Sequence, residues 1–185
     1  MDADLLEKLV DWVRYRHFGK YRGTVSDNAD PTNRARLKVR VPAVLGDLEL
    51  WAMPCVPYAG DKVGFFFLPE PGTGVWVEFE AGDPSYPVWS GFFWADDQLP
   101  GDATGASTKV LRTEKSTMVF DDDAPEIHLT VDDAGDLKIG DEVVTTRDQA
   151  KHTVSTGGVK SEIGGQKIAL TQSSFSVDDG ALEVM

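Results

Sequence analysis

Hydrophobic positions recur with two different periods along this 185-residue chain. Over Asp2–Phe18 the period is helical: Leu5, Leu9 and Val13 stand at i, i+4 and i+8, and Leu6, Val10 and Trp12 widen the stripe. Acidic residues lead the first turns, and Gly19 ends the segment. From Lys20 onward the period is two. In Arg34–Val41 the apolar Ala35, Leu37, Val39 and Val41 alternate with Arg34, Arg36, Lys38 and Arg40. In Gly74–Glu80, Val75, Val77 and Phe79 alternate with Trp76, Glu78 and Glu80. Ala81-Gly82-Asp83-Pro84 predicts a tight turn, and Tyr86–Trp94 a returning strand with a bulge or close backbone approach at Gly91. Lys20–Val25, Trp51–Tyr58 and Val63–Pro69 read as further strands, with loops at Ser26–Asn33 and Pro42–Leu50. Short strands separated by Gly- and Pro-rich turns predict a small closed β-barrel or sandwich over residues 19–95. The aromatic set Phe65, Phe66, Phe67, Trp76, Trp89, Phe92, Phe93 and Trp94 exceeds what one such barrel buries, which predicts packing against other chains. Trp76, Trp89 and Phe93 read as structural residues first.

Residues 96–106 carry no periodicity and predict a linker. Residues 107–185 then change character. Pieces of four to six residues, from Lys109–Thr113 to Ala181–Val184, are separated by polar joints such as Asp121-Asp122-Asp123, Gly157-Gly158 and Gly164-Gly165. Within each piece the apolar residues are few and alternate: Ile127, Leu129, Val131; Leu137, Ile139; Ile168, Leu170; Leu182, Val184. One such strip buries too little to form a core alone. Several chains must supply the core together, most simply as a homotrimeric, intertwined three-chain β-prism whose closure removes free sheet edges. Asp141–Ala150 fits neither a strand nor a clear helix and is left unplaced.

Charge narrows the function. The formal net charge is −13, with 13 acidic and 10 basic residues before position 96 and 18 against 8 from position 96 onward. Such a chain is a poor non-specific binder of nucleic acid or anionic membranes. The basic face Arg34, Arg36, Lys38 and Arg40 therefore reads as a solvated face paired with carboxylates. Cys55, the one cysteine, lies in an apolar run and reads as a small buried hydrophobe. No apolar run approaches a membrane span and no secretory leader is evident, so synthesis in the cytoplasm is expected. The motifs of catalysis are missing: no Walker-type phosphate loop, no Gly-x-Ser-x-Gly elbow, no His-Glu-x-x-His pair. Neither catalysis nor any cofactor or metal is expected. His17, His128 and His152 are scattered; His128 alternates into a strand and reads as a surface side chain, or as one of three copies facing an axis. The clusters Asp121–Asp123 and Asp132/Asp133/Asp136 lack the spacing of a calcium loop.

Three features coincide in order and spacing: Gly23-Thr24-Val25 followed by Arg36–Pro42; Pro69–Phe79 with its Gly74-Val75-Trp76-Val77-Glu78-Phe79; and Gly82-Asp83 followed by Pro87-Val88-x-x-Gly91. Over residues 19–95 they resemble the OB-fold domain of the central spike of contractile tails, that is, the phage baseplate assembly protein V family and the equivalent domain of VgrG spikes. Leu111-Arg112-Thr113 and Met118–Asp122 are similar to the start of that family's trimeric β-helix.

The resemblance implies an all-β chain in four parts: an N-terminal helix (1–18), an OB-fold barrel (19–95), a linker (96–106) and a C-terminal intertwined triple-stranded β-helix needle (107–185). It implies a structural homotrimer at the centre of a contractile baseplate, in a phage tail or an injection particle, that pierces the target membrane on sheath contraction and touches it only then. The hub would be a separate chain, for which the helix residues Leu9, Trp12 and Val13 are candidate contacts. The fused lysozyme domain and the His-x-His tip of some relatives are absent, so a separate PAAR-type tip protein would cap Leu182, Val184 and Met185. The alternative is an OB-fold module for oligonucleotides or glycans. A carbohydrate-active β-helix would need a longer solenoid than residues 107–185 allow.

Overall fold

The computed structural model describes residues 3–184, which divide into two compact units between Gln98 and Leu99. Unit one begins with helix α1 (Ala3–Arg14), shorter than the predicted Asp2–Phe18. Its residues 4–14 are all exposed, so α1 does not pack its apolar stripe on the barrel that follows. No helix is long and apolar enough to cross a membrane among the described residues.

The barrel is formed by β1 (Tyr21–Asp27), β2 (Leu37–Arg40), β3 (Glu49–Pro54), β6 (Gly74–Phe79) and β7 (Pro87–Phe93). It closes in the order β1-β2-β3-β7-β6, and every pair is antiparallel except β3 with β7. A five-stranded closed barrel with one parallel pair is the OB arrangement. The core is the inward half of the period-two pattern: Val25, Leu37, Val39, Ala52, Val75, Val77, Phe79 and Trp89 are buried, with Val41 and Leu45 closing one end. Leu45 belongs to a single helical turn, α2 (Pro42–Leu45), inside the predicted loop, and Val41 stands just before it; Pro42 pre-sets its first φ. In β7, Ser90 and Gly91 stand opposite the single residue Trp76, which is the predicted bulge.

The predicted strand Trp51–Tyr58 forms only as far as Pro54, within β3, and Val63–Pro69 only at its first two residues. Pro54 and Pro57 have no N–H to donate, so β3 stops at Pro54 and the chain leaves the barrel. Only a minimal hairpin, β4 (Ala59–Gly60) with β5 (Val63–Gly64), interrupts the excursion. Cys55 is exposed there and not buried as expected: its N–H donates to the Trp89 carbonyl (2.8 Å), which holds the backbone at the barrel rim with the thiol outside.

The loop between β1 and β2 folds around one carboxylate. Asp30 accepts hydrogen bonds from the N–H groups of Thr32 (3.0 Å), Arg34 (2.8 Å) and Arg36 (3.3 Å), and pairs with the Arg36 guanidinium at 2.7 Å. The Arg36 guanidinium and these donors hold the Asp30 carboxyl far below the usual carboxylate range. A depressed carboxyl contributes stability that is complete above its unfolded pKa of about 3.9 and is lost as pH falls toward the folded value. Asp30→Asn should therefore lower the unfolding temperature at neutral pH and flatten the acid limb of stability below about pH 4, which thermal melts across pH 2–7 would check. Two of the four basic residues at and before β2 are paired with carboxylates, Arg36 with Asp30 and Arg40 with Glu49 (2.6 Å).

Unit two is one ten-stranded antiparallel sheet: β8 (Thr108–Arg112), β9 (Ser116–Asp121), β10 (Glu126–Val131), β11 (Gly135–Ile139), β12 (Val143–Arg147), β13 (Ala150–Ser155), β14 (Gly158–Ile163), β15 (Gln166–Leu170), β16 (Phe175–Val177) and β17 (Leu182–Val184). Each strand pairs only with its sequence neighbours, so the sheet is an uninterrupted meander. The unplaced stretch Asp141–Ala150 is an ordinary part of it: β12 and the turn at Asp148-Gln149, where Asp148 takes φ 51°. Each internal strand hydrogen-bonds to both of its sequence neighbours within the chain.

Gly158 opens β14 at φ 142°, and a Cβ there would collide with the Leu170 carbonyl oxygen of the next strand. Backbone, unlike a side-chain tip, cannot step aside. Gly158→Ala should cost at least about 1–2 kcal/mol per chain, the scale of backbone strain at positive φ, and lower the unfolding temperature of the sheet in a thermal melt.

Candidate assembly surfaces

No cluster of three or more His, Cys, Asp or Glu side chains that could hold a metal occurs among the described residues of a single chain. The chain instead presents large apolar surfaces, and these are the candidate functional sites.

The first is α1. Leu5, Leu6, Leu9, Val10, Trp12 and Val13 are all exposed, while Lys8 pairs with Asp4 (2.7 Å). Leu9, Trp12 and Val13, the candidate hub residues, therefore share one open apolar stripe. The segment after the helix is fixed by the β6–β7 turn. The His17 N–H donates to the Gly82 carbonyl (2.8 Å), and the Arg16 guanidinium donates to Asp83 (3.2 Å). Gly82 takes φ 75°, and a Cβ there would press on Phe18, Arg16 and the His17 nitrogen at 3.0–3.1 Å. Sequence reading recognised the Gly-Asp turn but not its second task of gripping residues 16–18. The Asp83 carboxyl sits below its ordinary range, chiefly because it accepts the Ser85 N–H (3.0 Å).

The second surface is the excursion after β3, where Tyr58, Val63, Phe65, Phe66 and Phe67 are exposed and Cys55 lines a cleft with Phe65, Phe67, Trp89 and Phe92. The excess aromatics divide here. Trp89 is core, its Nε1 donating to the Ala35 carbonyl (3.2 Å). Trp76 and Phe93 pack on the barrel's outside (5.1 Å between centroids) under the Arg22 guanidinium.

The third surface is a face of the sheet. Residues directly opposite in antiparallel neighbours share a face, as do residues two apart in one strand. The register therefore defines a central column with one residue from every strand: Leu111, Met118, Leu129, Leu137, Thr145, His152, Ser161, Ile168, Val177 and Leu182. Beside it on the same face runs Phe120, Ile127, Ile139, Val143, Val154, Val159, Leu170, Phe175 and Val184. The opposite face carries His128, Lys138, Thr153, Lys160, Lys151, Glu162 and Lys167, with Lys138 paired to Glu126 (2.5 Å) and Lys160 to Glu162 (2.8 Å).

The apolar face is uncovered. Ile163 is 62% exposed, Leu170 54%, Ile168 49% and Val154 40%; on the polar face Lys138 and Lys151 are exposed, and Lys160, Glu162 and Lys167 are half-buried. No described residue from 99 to 184 is buried. Leu182 and Val184, the candidate tip contacts, lie on the apolar face at its last strand; Met185 lies outside the described residues.

His128 lies on the polar face, 3.6 Å from Asp136. His152 is the histidine on the apolar face, its Nδ1 2.8 Å from Ser161 Oγ. The alternation Ala150, His152, Val154 places it with apolar neighbours, a signal that sequence reading passed over.

No curated protein matches the chain. Residues 21–94 match the family described as the type VI secretion system/phage-baseplate injector OB domain, whose members are structural baseplate components, and the match spans the closed barrel from the first residue of β1 to one residue past β7. The barrel of this chain is thus similar to the injector OB domain of phage baseplates and type VI secretion systems.

Proposed function

We propose that the chain is the central spike of a contractile injection baseplate, acting as a homotrimer. The observation that carries this reading is the uncovered apolar face of unit two: Leu111, Phe120, Ile139, Val154, Ile168 and Leu170 on it are exposed, and its other apolar residues are no more than half-buried. A sheet that leaves such a face in water loses about 25 cal/mol for each Å² of apolar surface it fails to bury. Three copies turning that face inward would remove it from solvent, and every internal backbone group is already paired within its own chain. Identical copies are favoured over an unrelated apolar partner because Thr145, His152 and Ser161 interrupt the column. Copies in register set polar rung against polar rung, whereas an apolar partner would strand these groups without hydrogen bonds.

In this reading ten rungs at about 4.8 Å give a needle of about 45 Å, driven through the target membrane on sheath contraction. Its far end, Leu182, Val184 and Met185, is capped by a separate PAAR-type tip protein. The apolar stripe of α1 docks in a groove of a separate hub chain, as amphipathic helices do. The assembly is made in the cytoplasm and works in a phage tail or injection particle.

Light scattering on the purified chain tests the core of this reading. The expected mass is three times the 20.2 kDa chain, and a stable monomer at micromolar concentration would overturn it. The hub contact has its own test. Leu9→Glu should leave the oligomeric state unchanged and weaken co-elution with the hub protein by at least about tenfold, the effect of losing roughly 1.4 kcal/mol; unchanged co-elution would remove α1 from the hub interface.

A further inference from the structure

The central column of the apolar face reads apolar from Leu111 to Leu137, polar at Thr145, His152 and Ser161, and apolar again from Ile168 to Leu182. Three consecutive polar rungs in one otherwise apolar column are not turn residues: each lies within a strand, β12, β13 and β14. Nor do they belong to the charged side of the sheet, which is the opposite face. They lie in register as direct cross-strand partners, and the middle one is an imidazole.

The chemistry of that imidazole is already half-specified. His152 Nδ1 is 2.8 Å from Ser161 Oγ. With the proton on Nδ1 donated to that hydroxyl, Nε2 keeps its lone pair. This is the arrangement of a metal-ligating histidine, whose second nitrogen is held by a hydrogen bond that fixes the tautomer and orients the ring. A single copy supplies one such nitrogen, too few for a site. Three copies around an axis supply three at one height, with Thr145 and Ser161 hydroxyls on the adjoining rungs to meet metal-bound water. The net charge of −13 favours a cation over an anion in the same place.

We propose that His152 from three copies forms an axial site for one divalent late first-row transition cation, the class for which neutral imidazole is the suited ligand. The site rests on the three-chain reading, because it is incomplete without two partner copies. His152 is the ligand, Ser161 is a positioning residue, and His128 on the polar face takes no part.

Cobalt(II) is the probe. Untagged full-length chain is loaded with cobalt chloride, desalted, weighed by light scattering and analysed for cobalt. The expected result is a trimer with one cobalt per three chains and visible d–d absorption bands. His152→Leu should remain trimeric and lose the cobalt and its bands. Ser161→Ala should keep the site with affinity weakened about 10–100-fold, the usual effect of removing an outer hydrogen bond. His128→Leu should leave cobalt content unchanged. A trimer that retains no cobalt overturns the site and leaves the spike reading standing; so does cobalt retained in His152→Leu. A monomer overturns both. Should His152→Leu fail to fold, His152→Gln takes its place, and the cobalt content of the unaltered trimer decides on its own.

Discussion

Leu137→Asp should scatter as a monomer at concentrations where the unaltered chain is trimeric. Leu137 is one rung of the central column, flanked across the sheet by Leu129 and Thr145. In three copies the substitution places three carboxylates at one height inside the assembled core. A buried unpaired charge costs several kcal/mol even after relaxation, and like charges drawn together add to it. Counted three times, that exceeds the 5–15 kcal/mol by which an ordinary fold is stable. The control is Thr153→Asp, on the opposite face between Val144 and Lys160. It should leave the oligomeric state unchanged, since an added carboxylate beside a lysine on the charged face is worth about 1 kcal/mol or less. Equal behaviour of the two variants in light scattering would show that the column does not face other copies.

Trp89→Ala should destabilise the barrel by about 3–5 kcal/mol, the range for removing a large buried aromatic. Trp89 is 3% exposed and is donated by β7, the strand whose parallel pairing with β3 helps close the barrel. Its loss leaves a cavity among Val39, Ala52 and Val77 and removes the Nε1 donor from the Ala35 carbonyl. Against a total stability of 5–15 kcal/mol, that places the barrel near its threshold. Amide hydrogen exchange should show protection collapsing across β1, β2, β3, β6 and β7. Retained protection in those strands would mean that the tryptophan is not the keystone its burial indicates.

The barrel was legible because its alternation is strict and its turns carry mechanical residues. Val75, Val77 and Phe79 are buried as the pattern requires, and the extra residue at Ser90-Gly91 appears where glycine interrupted a strand. What failed has physical reasons. Cys55 follows an apolar stretch, but Pro54 ends the strand before it, so local hydrophobicity misread its burial. Asp141–Ala150 looked unlike a strand because Thr145 and Thr146 blur the contrast between faces, and because the turn residue Asp148 takes a positive φ without glycine. The grip of Gly82 on residues 16–18 joins positions some 65 apart, which no local pattern reports. For the candidate site, the apolar strips were visible strand by strand, but their alignment into columns was not. Register is a property of pairs of strands. Without it His128 and His152 were equivalent, and with it only His152 shares a face with Leu137 and Ile168.

The meander of unit two also has a mechanical grain. Antiparallel hydrogen bonds run perpendicular to their strands, so the ladders of β8 to β17 lie end to end along the direction in which the strands are stacked. Force applied along that direction is carried by hydrogen bonds in series, and the covalent chain crosses from rung to rung only through short turns. Pulled from β17, the sheet would peel one strand at a time, each ladder opening after its neighbour. Pushed along the same line, no ladder can open, because compression drives each rung onto the next and meets the repulsion between touching atoms. Such a sheet is weak in tension and stiff in thrust.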